Sequence, residues 1–552
     1  MNKKFWALML VLPLCTFCGG KDNPKPEPEV NPEIVISGDS EFNVGCESGS
    51  GTLTFTSNVD WTATPDDAWL TVSPESGKAS KTPVTVTFTY GQNPNLKNRS
   101  TYIVLSAPGA EKNIAVIQAG DPMAGAAPEV KDGDKVLATN PLVEKFLTEV
   151  TYKDWPEETS STRKTKIFDY YGGFDGKTLT WDNWETDWPD GDKPQSFSIR
   201  WKKEDMESGA MKLHLQDDLG WSGDQDIAAG ARYVNITNLV PNDKYTFKVT
   251  AASGKVLTQG SFTTTGSLHQ VFFTGPVTKK SGVELKGSGC RNARDLGGWT
   301  TLDGKKVKYR KIYRGGRMNE KWTPYPLNAQ GEKEVLFEGI GAEIDLRGSD
   351  DIIKEPAVAG LAHCHPVIEE GGKVMLGVVN PSAKNCAKWL KFDKERSDIS
   401  DVSSYKPTDE ELAAFQIAYR AKTKECFDFV LDCVRNNKPV YFHCSLGRDR
   451  TGTLDVLLLG LLGVREGDIA KEYEVTYFAP VGYSVSSSDK SSNPIPTFHN
   501  TRLAWVYSDV VPYFWELAGE GGTFAQGVEN YLLNVAGVDQ KDIDDFRSLM
   551  LE

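Results

Sequence analysis

Residues Pro439–Gly463 read PVYFHCSLGRDRTGTLDVLLLGLLG, and they indicate the fold of the C-terminal half of a 552-residue chain. Its apolar start, Pro439–Phe442, is typical of a buried strand. A tight polar loop follows, and the leucine-rich segment after the loop predicts a buried helix. Because a strand that leads through a short loop into a helix is the unit of α/β sheets, the stretch predicts an α/β domain.

The sequence around this stretch repeats the alternation of strand and helix. IGAEIDLRG, residues 340–348, is typical of a second buried strand. Residues 409–437 have apolar side chains at helical spacing and follow the cap-like Thr408, and residues 528–551 are also predicted to be helical. Residues 269–552 are therefore predicted to form an α/β domain with a central, mostly parallel sheet flanked by helices.

Residues 33–121 consist of short alternating runs such as GTLTFTS, PVTVTFTY and NIAVIQAG, which predict an all-β sandwich. The order of VDWTATPDDAWLTVSPESG, NRSTYIVLSAP and NIAVIQAG resembles the BACON domain of exported Gram-negative proteins. The resemblance implies binding of carbohydrate or mucin, or a role as a spacer. Trp61 and Trp69 are interpreted as core residues, with sugar stacking as the alternative.

Residues 122–268 are predicted to form a second β sandwich. The part VNITNLVPNDKYTFKVTAASGKVLTQGSFTTTG resembles a fibronectin type III domain through Leu239, Pro241, Tyr245, Phe247 and Val249. The resemblance implies that the tyrosine hydrogen-bonds back to its own corner. Core packing is favoured over an aromatic glycan platform for the tryptophans of this region: Trp181, Trp184, Trp188, Trp201 and Trp221.

Residues 1–18 resemble a bacterial lipoprotein signal peptide. Lys3 and Lys4 precede the apolar run Phe5–Leu14, which is too short to cross a bilayer, and CTFCGG follows. The resemblance implies a lipid on Cys18, with Cys15 as second choice, on a protein exported to the periplasmic or surface face of the bacterial outer membrane. An ordinary cleaved signal peptide is the alternative. Residues 19–32 are a proline-rich linker, and we expect contact with the membrane through the lipid anchor only.

The charge and the cysteine count of the chain limit its partners and its disulfide bonds. The chain has 76 acidic and 62 basic residues, a net charge of -14, so it lacks the basic field that attracts nucleic acid.

Nine cysteines in this length are too few for a disulfide scaffold, and the seven that follow the leader favour at least one free thiol. A low-pKa thiol outside the cytoplasm is open to oxidation. The candidates for a resolving partner are Cys290, Cys364, Cys386, Cys426 and Cys433.

The loop HCSLGRDRTG, His443–Gly452, carries the predicted chemistry. Cys444 and Arg450 stand in the spacing C-x5-R. A tight loop before a helix turns its backbone N–H groups inward and binds anions such as phosphate. The same amides lower the pKa of the cysteine, which becomes a thiolate nucleophile, and the arginine binds two phosphoryl oxygens. The residues predicted to bind the phosphate with them are Ser445, Leu446, Gly447, Arg448 and Thr451.

Three further motifs occur in order before this loop: NARDLGG (Asn292–Gly298), IYRGGRM (Ile312–Met318) and IDLRGSDD (Ile344–Asp351). Together the four resemble the cysteine-dependent protein tyrosine phosphatases, and in particular a bacterial family of tyrosine and serine/threonine phosphatases, over residues 270–552. The resemblance implies a phosphocysteine intermediate and no metal ion or other cofactor. Arg448 stands where that family commonly has a lysine.

Asp449 is the predicted general acid, which protonates the leaving oxygen and later activates water. The alternatives are Asp345, Asp350, Asp351 and Glu355. Arg294 and Arg347 either close the phosphate pocket or brace it, with Asp295 and Asp345 as candidate ion-pair partners. His443 is expected to orient the loop.

One tripeptide matches a known general-acid sequence by coincidence. Trp188-Pro189-Asp190 spells the sequence that carries the general acid in many eukaryotic relatives, but it lies in the second predicted β domain and is interpreted as coincidence.

The leading hypothesis is a lipid-anchored phosphatase that acts on phosphotyrosine and on phosphoserine or phosphothreonine. An inositol-phosphate or phosphoinositide phosphatase is the alternative within this class. A glycan-binding surface adhesin with an idle phosphatase domain is the alternative from another class. A cysteine protease is discounted, since His443 precedes Cys444 directly and points to the opposite face of its strand.

Overall fold

The computed structural model describes residues 31–154, 157–158, 191–202, 209–276, 279–280, 283–284, 289–319, 327–347, 355–366, 383–392, 394–479, 506 and 510–552. The predicted signal peptide with Cys15 and Cys18 lies outside them, as do most of the linker and Trp181, Trp184, Trp188, Pro189, Asp190, Asp350 and Asp351. The chain divides into two compact units, one that ends at Gly125 and one that starts at Ala126. Within the described ranges, no helix combines the length and the apolar character that crossing a membrane requires.

The first unit is a sandwich of two sheets. Its strands are β1 Ile34–Ile36, β2 Glu41–Val44, β3 Gly49–Ser57, β4 Trp61–Pro65, β5 Leu70–Ser73, β6 Ser76–Gly77, β7 Ser80–Tyr90, β8 Arg99–Ala107 and β9 Ala110–Gln118. One sheet has the order β1-β3-β7-β5 and the other β2-β9-β8-β4-β6. Alternate residues of the strands face the core, as the sequence pattern predicts.

The two tryptophans of this sandwich differ in burial. Trp61 is 3% exposed and packs edge-on against Phe55, with ring centroids 4.9 Å apart. Its interpretation as a core residue is confirmed. Trp69 is half-buried, and the guanidinium of Arg99 lies 4.3 Å from its ring centroid.

The second unit begins with a β region. Its strands are β10 Lys135–Leu137, β11 Phe197–Arg200, β12 Met211–Asp217, β13 Ser222–Ile227, β14 Tyr233–Ile236, β15 Lys244–Ala251 and β16 Val256–Thr265. The larger sheet has the order β10-β16-β15-β12-β13, and β11 pairs with β14 in a second sheet. The hydroxyl of Tyr245 accepts a hydrogen bond from the backbone N–H of Val240 at 2.8 Å, which is the corner bond that the sequence pattern implies.

The α/β region follows. Its strands are β17 Lys279–Lys280, β18 Val283–Glu284, β19 Arg294–Asp295, β20 Ile312–Gly315, β21 Ala342–Asp345, β22 Ala362–Cys364 and β23 Val440–His443. The main sheet has the order β19-β20-β23-β21-β22. The pairings β20–β23, β23–β21 and β21–β22 are parallel, whereas β19 runs antiparallel to β20, so the sheet is mixed.

Helices cover this sheet. They are α1 Pro141–Glu149, α2 Ala329–Glu338, α3 Ala383–Phe392, α4 Asp409–Arg435, α5 Asp449–Leu461, α6 Glu466–Val475, α7 Val511–Ala518, α8 Phe524–Asn530 and α9 Gln540–Met550, with a π-helical segment Tyr531–Ala536 after α8. Thr408 caps α4 through a capping box with Glu411, as its position predicts. The leucine-rich α5 is buried from Thr451 to Leu461 and begins directly after the loop.

Helix α1 lies between β10 and β11 of the β region in sequence but packs in the core of the α/β region. Val143, Phe146 and Leu147 are buried in that core, and the ring of Phe146 lies 5.7 Å from that of Phe478. The predicted boundary between residues 268 and 269 therefore separates residues that the structure packs together.

Arg310 joins the two regions of the second unit. Its guanidinium donates to Asp217 of β12 at 2.9 Å and to Glu338 of α2 at 2.5 Å, and it lies 4.4 Å from the ring centroid of Trp221. The indole N–H of Trp221 donates to the carbonyl of Phe337. Trp221 thus packs between the regions, and Trp201 is 5% exposed, so packing describes both better than a glycan platform does.

Candidate active site

The loop after β23 has its carbonyl groups turned away from the pocket, and donors behind the loop hold each of them. His443 Nδ1 lies 3.1 Å from the carbonyl oxygen of Cys444. Arg317 donates to the carbonyl of Ser445 from its backbone N–H at 3.3 Å and from Nη1 at 3.2 Å. The next two carbonyls are held by a different side chain.

Asn292 Nδ2 donates to the carbonyl of Leu446 at 3.2 Å and to that of Gly447 at 3.0 Å. Arg314 Nη2 donates to the carbonyl of Gly447 at 2.6 Å. In a trans peptide the N–H points opposite to the C=O, so these bonds turn the N–H groups of residues 445–448 into the pocket. Across the described ranges, the N–H groups of Ser445, Leu446 and Gly447 have no protein acceptor.

Gly447 fits where another residue does not. Its φ is +68°, in the left-handed region, and a Cβ there would lie 2.2 Å from the carbonyl oxygen of Gly315. The loop can pass this close to β20 only with glycine at this position. Together the inward amides and the start of α5 form a nest that suits a phosphate or another oxyanion.

Cys444 lies at the start of the nest and is 3% exposed. Burial raises the pKa of its thiol, but the charge of Arg450 and the neighbouring hydroxyl and backbone N–H of Thr451 outweigh burial, so the pKa falls below its ordinary value. In the described structure the Thr451 hydroxyl is buried without a hydrogen-bond partner, so it can turn toward the sulfur.

His443 is held from both ring nitrogens. Nε2 lies 2.7 Å from Glu343, and Nδ1 faces the carbonyl of Cys444. Burial lowers the pKa of His443, yet Asp345 and Glu343 outweigh burial and raise it, which favours an imidazolium that donates on both sides. The residue orients the loop, as the sequence predicts.

Arg450 closes the loop at its other end. It is half-buried, and its Nη1 donates to the carbonyl of Leu346 at 2.9 Å. This bond ties the arginine to the IDLR segment after β21 and leaves further N–H donors on the same guanidinium for a ligand.

Asp345 and Arg347 form a buried ion pair and are each 1% exposed. Arg347 donates to Asp345 from Nη2 at 2.7 Å and from Nε at 2.9 Å, and it bonds to Asn319 through Nη1 and Nη2. Burial opposes ionisation of Asp345, but His443 and Arg347 hold its pKa far below the ordinary value. The pair braces the loop. The structure therefore does not favour Asp345 or Arg347 as a phosphate ligand, and it does not favour Asp345 as the general acid.

Arg294 also lies behind the loop. It is 1% exposed and donates to Glu472 Oε1 at 2.5 Å and to Asn292 Oδ1. Of the two roles that the sequence leaves open for Arg294, these contacts favour bracing. Asp295 does not pair with Arg294: it accepts from His269 Nδ1 at 3.0 Å and from the backbone N–H of Arg310 at 2.6 Å.

A buried charge network connects these braces. Arg314 Nη1 lies 2.7 Å from both Asp455 and Glu472. Burial and the neighbouring Glu472 raise the pKa of Asp455 well above its ordinary value. Burial opposes ionisation of Glu472, but Arg294 and Arg314 lower its pKa to about 2. The guanidinium groups of Arg294 and Arg314 thus both lie beside the carboxylate of Glu472 behind the nest.

Arg448 and Asp449 occupy the turn into α5. The side chain of Arg448 is 2% exposed and that of Asp449 is 29% exposed, and they lie 3.3 Å apart. The positive charge that replaces the usual lysine is therefore buried beside the loop, whereas the carboxylate reaches solvent.

The remaining described cysteines differ from Cys444. Each is a free thiol in the structure. Burial raises the pKa of Cys290 and of Cys364 to about 12, and that of Cys386 and of Cys433 to about 11. The pKa of Cys426 is also raised by burial.

Sequence reasoning missed the residues that hold the loop from behind. Asn292, Arg314 and Arg317 lie in two of the motifs that accompany the loop, so the motifs marked the positions without revealing their roles. Glu472 carries no such signal, because it lies in α6, outside the four motifs.

Comparisons with known proteins agree with this geometry. Residues 285–552 match the family model "Tyrosine phosphatase family", and residues 59–119 match BACON, "Putative binding domain, N-terminal". A curated relative from Cupriavidus necator, named "Putative tyrosine-protein phosphatase", is 28% identical over 185 residues, which are 33% of this chain and 59% of the relative. The chain therefore matches about three fifths of the length of that relative.

Solved structures resemble parts of the chain at low identity. A GH5 xyloglucanase of Bacteroides ovatus, in complex with a XXXG heptasaccharide, shows 18% identity over 20% of this chain and 27% of its own, with a TM-score of 0.15. A protein from Bacteroides thetaiotaomicron shows 15% identity over 18% of this chain and 97% of its own, with a TM-score of 0.13. These scores carry no argument about the fold.

Proposed function

We propose that this chain, whose residues 285–552 form a tyrosine phosphatase family domain, hydrolyses phosphate monoesters through the thiolate of Cys444. One observation carries the proposal: donors behind the loop hold four successive carbonyls, Cys444 to Gly447, so that four amides face the pocket. A lowered-pKa thiol lies at one end of this nest and Arg450 at the other. This arrangement matches the charge and shape of a phosphoryl group.

In the first step the sulfur of Cys444 attacks phosphorus. The S–P bond forms while the bond from phosphorus to the ester oxygen breaks. The inward amides and Arg450 bind the three equatorial oxygens, whose negative charge they stabilise in the transition state. The Thr451 hydroxyl, which stabilises the thiolate, also stabilises it when it leaves in the second step.

Asp449 is the proposed proton carrier. It gives its proton to the leaving oxygen, and the carboxylate then takes a proton from the water that attacks phosphocysteine, which releases phosphate and restores the thiolate. Its partly exposed carboxylate at the first turn of α5 supports this role. Asp345 is the weaker alternative because it is buried and paired with Arg347.

The substrate class is proposed from the same site. Phosphotyrosine, with phosphoserine or phosphothreonine beside it, is the proposed class because the matching family is one of tyrosine phosphatases. Inositol phosphates remain an outcome of the test. The buried, paired side chain of Arg448 removes one argument for a highly charged ligand, since it adds no exposed donor to the pocket.

The N-terminal half supports further proposals about partners and location. The match to BACON supports a carbohydrate or mucin ligand for the first unit. We also propose export and lipid attachment at Cys18, on the lipoprotein-like leader alone. A surface adhesin with an idle phosphatase domain is less favoured, because every element of the nest is in place.

The experiment compares hydrolysis of a phosphotyrosyl peptide, a phosphoinositide and an inositol polyphosphate by the full chain and by Cys444→Ser. Cys46→Ser, which changes a half-buried cysteine of the first unit, is the matched control. We expect the peptide to be the fastest substrate, Cys444→Ser to be inactive and the control to be unchanged. Phosphate release by Cys444→Ser at the wild-type rate would refute the mechanism.

A further inference from the structure

Asp192 lies outside the part of the chain that matches the phosphatase family, yet it contacts the frame of the catalytic loop. It is 3% exposed and sits in the short segment Gly191–Lys193, which follows residues outside the described ranges. Gln270 donates to the carbonyl of Gly191 at 2.9 Å, and Asn140 to that of Lys193 at 2.9 Å. The segment is thus fixed from both sides of the aspartate.

The carboxylate of Asp192 has two partners. Arg291 donates to Oδ2 from Nε at 2.9 Å and to Oδ1 from Nη2. The backbone N–H of Asn292 also donates to Oδ2, at 2.8 Å. Arg291 is 2% exposed, so water does not weaken this contact.

Asn292 needs such support. Its φ is +60°, a left-handed conformation that only a few per cent of residues other than glycine adopt. Asp192 fixes the peptide that enters this residue, and Arg294 holds the side-chain oxygen. The amide nitrogen is thereby aimed at the carbonyls of Leu446 and Gly447.

We infer that Asp192 is a positioning residue for the phosphate-binding loop, supplied by the segment between α1 and β11 and acting through Asn292. The inference rests on the proposed function of the loop. Its physical content is a chain of three contacts, from Asp192 to the N–H of Asn292 and from Asn292 to the two loop carbonyls. Without the first contact, the amide of Gly447 loses its fixed direction, whereas Arg314 still holds the carbonyl of Gly447.

The test compares two isosteric variants of the full chain, Asp192→Asn and Asp217→Asn. Both remove a buried carboxylate that faces an arginine, but Asp217 pairs with Arg310 and touches no part of the loop. The readouts are kcat and KM for para-nitrophenyl phosphate, inhibition by orthovanadate, and the pH dependence of alkylation of Cys444 by iodoacetamide, with melting temperature as the measure of stability.

Both variants are expected to melt at lower temperature. Only Asp192→Asn is expected to lower kcat, by about 10- to 100-fold for a displaced binding group, to weaken inhibition by orthovanadate and to move thiol alkylation to higher pH. If Asp192→Asn does not fold, Asp192→Glu serves in its place, since it keeps the charge and displaces the carboxylate by one methylene.

Wild-type values of kcat, orthovanadate inhibition and thiol titration in the folded variant would overturn the inference, as would equal losses in Asp217→Asn. The alkylation readout does not depend on turnover. A wild-type chain that hydrolyses no phosphate ester would therefore refute the proposed function, while the thiol titration would still decide the role of Asp192.

Discussion

Two replacements of Asn292 distinguish the cost of its left-handed backbone from the contribution of its side-chain hydrogen bonds. Asn292→Gly and Asn292→Ala both delete the amide that donates to the carbonyls of Leu446 and Gly447 and that accepts from Arg294. Only glycine tolerates φ of +60° without cost. After either change, Gly447 still accepts from Arg314, whereas Leu446 loses the donor that the structure gives its carbonyl.

The magnitudes follow from these contacts. Two hydrogen bonds to carbonyls at about 1 kcal/mol each, with one to a guanidinium at about 1.5 kcal/mol, give a loss of roughly 3 to 4 kcal/mol. Glycine recovers about 1 kcal/mol and alanine does not. With an unfolding entropy of about 0.9 kcal/mol/K for a unit of roughly 430 residues, the melting temperature should fall by about 3 °C for Asn292→Gly and about 4 °C for Asn292→Ala.

Catalysis should respond differently from stability. The freed Leu446 peptide removes one aligned amide from the nest, and loss of one such donor costs about 100-fold or more in kcat. Both variants should therefore lose activity equally while differing in melting temperature, as measured with para-nitrophenyl phosphate at 25 °C and by calorimetry. A kcat within threefold of wild type in Asn292→Gly would refute the assignment of Asn292 to the loop.

Three further predictions concern single groups. Asp449→Ala should slow the hydrolysis of phenyl phosphate about 100-fold or more and that of para-nitrophenyl phosphate much less, because only phenolate, the poorer leaving group, needs the acid. An unchanged ratio of the two rates would transfer the acid role to the segment around Glu355. Alkylation of Cys444 should rise with pH through an inflection below the ordinary thiol pKa. Because the lowered pKa favours the folded thiolate, the wild type should gain stability over Cys444→Ser as pH rises from that inflection toward about 8.5. Parallel stability curves of the two proteins would contradict the lowered pKa. Burial raises the pKa of Asp243 to about 6, so ionisation of Asp243 disfavours the folded state above that pH. After allowance for its partial solvation, Asp243→Asn should stabilise the chain by about 1 kcal/mol at pH 7.5 but not at pH 4. Chemical denaturation at the two pH values checks this prediction, and equal effects at both would contradict it.

The sequence predicted the loop well because its chemistry is local. A strand, a glycine that permits φ of +68°, a cysteine and an arginine follow one another within ten residues, and each residue type has its own physical reason. The β sandwich of the first unit was predictable for a similar reason, since alternation with period two marks its strands.

The frame of the loop was not predictable in the same way. Arg314 is fully buried among Asp455, Glu472 and the carbonyl of Gly447, and these partners lie more than 130 residues from it in sequence. A buried arginine and a surface arginine look alike in a sequence, so the sequence left open whether Arg294 closes the phosphate pocket or braces it. The same limit applies to Asp192, whose role depends on a contact 100 residues away.

The packing of α1 in the α/β core has a consequence for synthesis of the protein. Phe146 contacts Phe478, so this helix leaves the ribosome well before its partner does. At about 5 to 20 residues per second, the delay is roughly 15 to 65 seconds. Until that core is complete, Val143, Phe146 and Leu147 lack part of their packing, and the nascent chain presents an apolar helix face to chaperones and to other chains. A ribosome that stalls before residue 478 therefore releases a product that exposes this face, which marks it for aggregation or degradation.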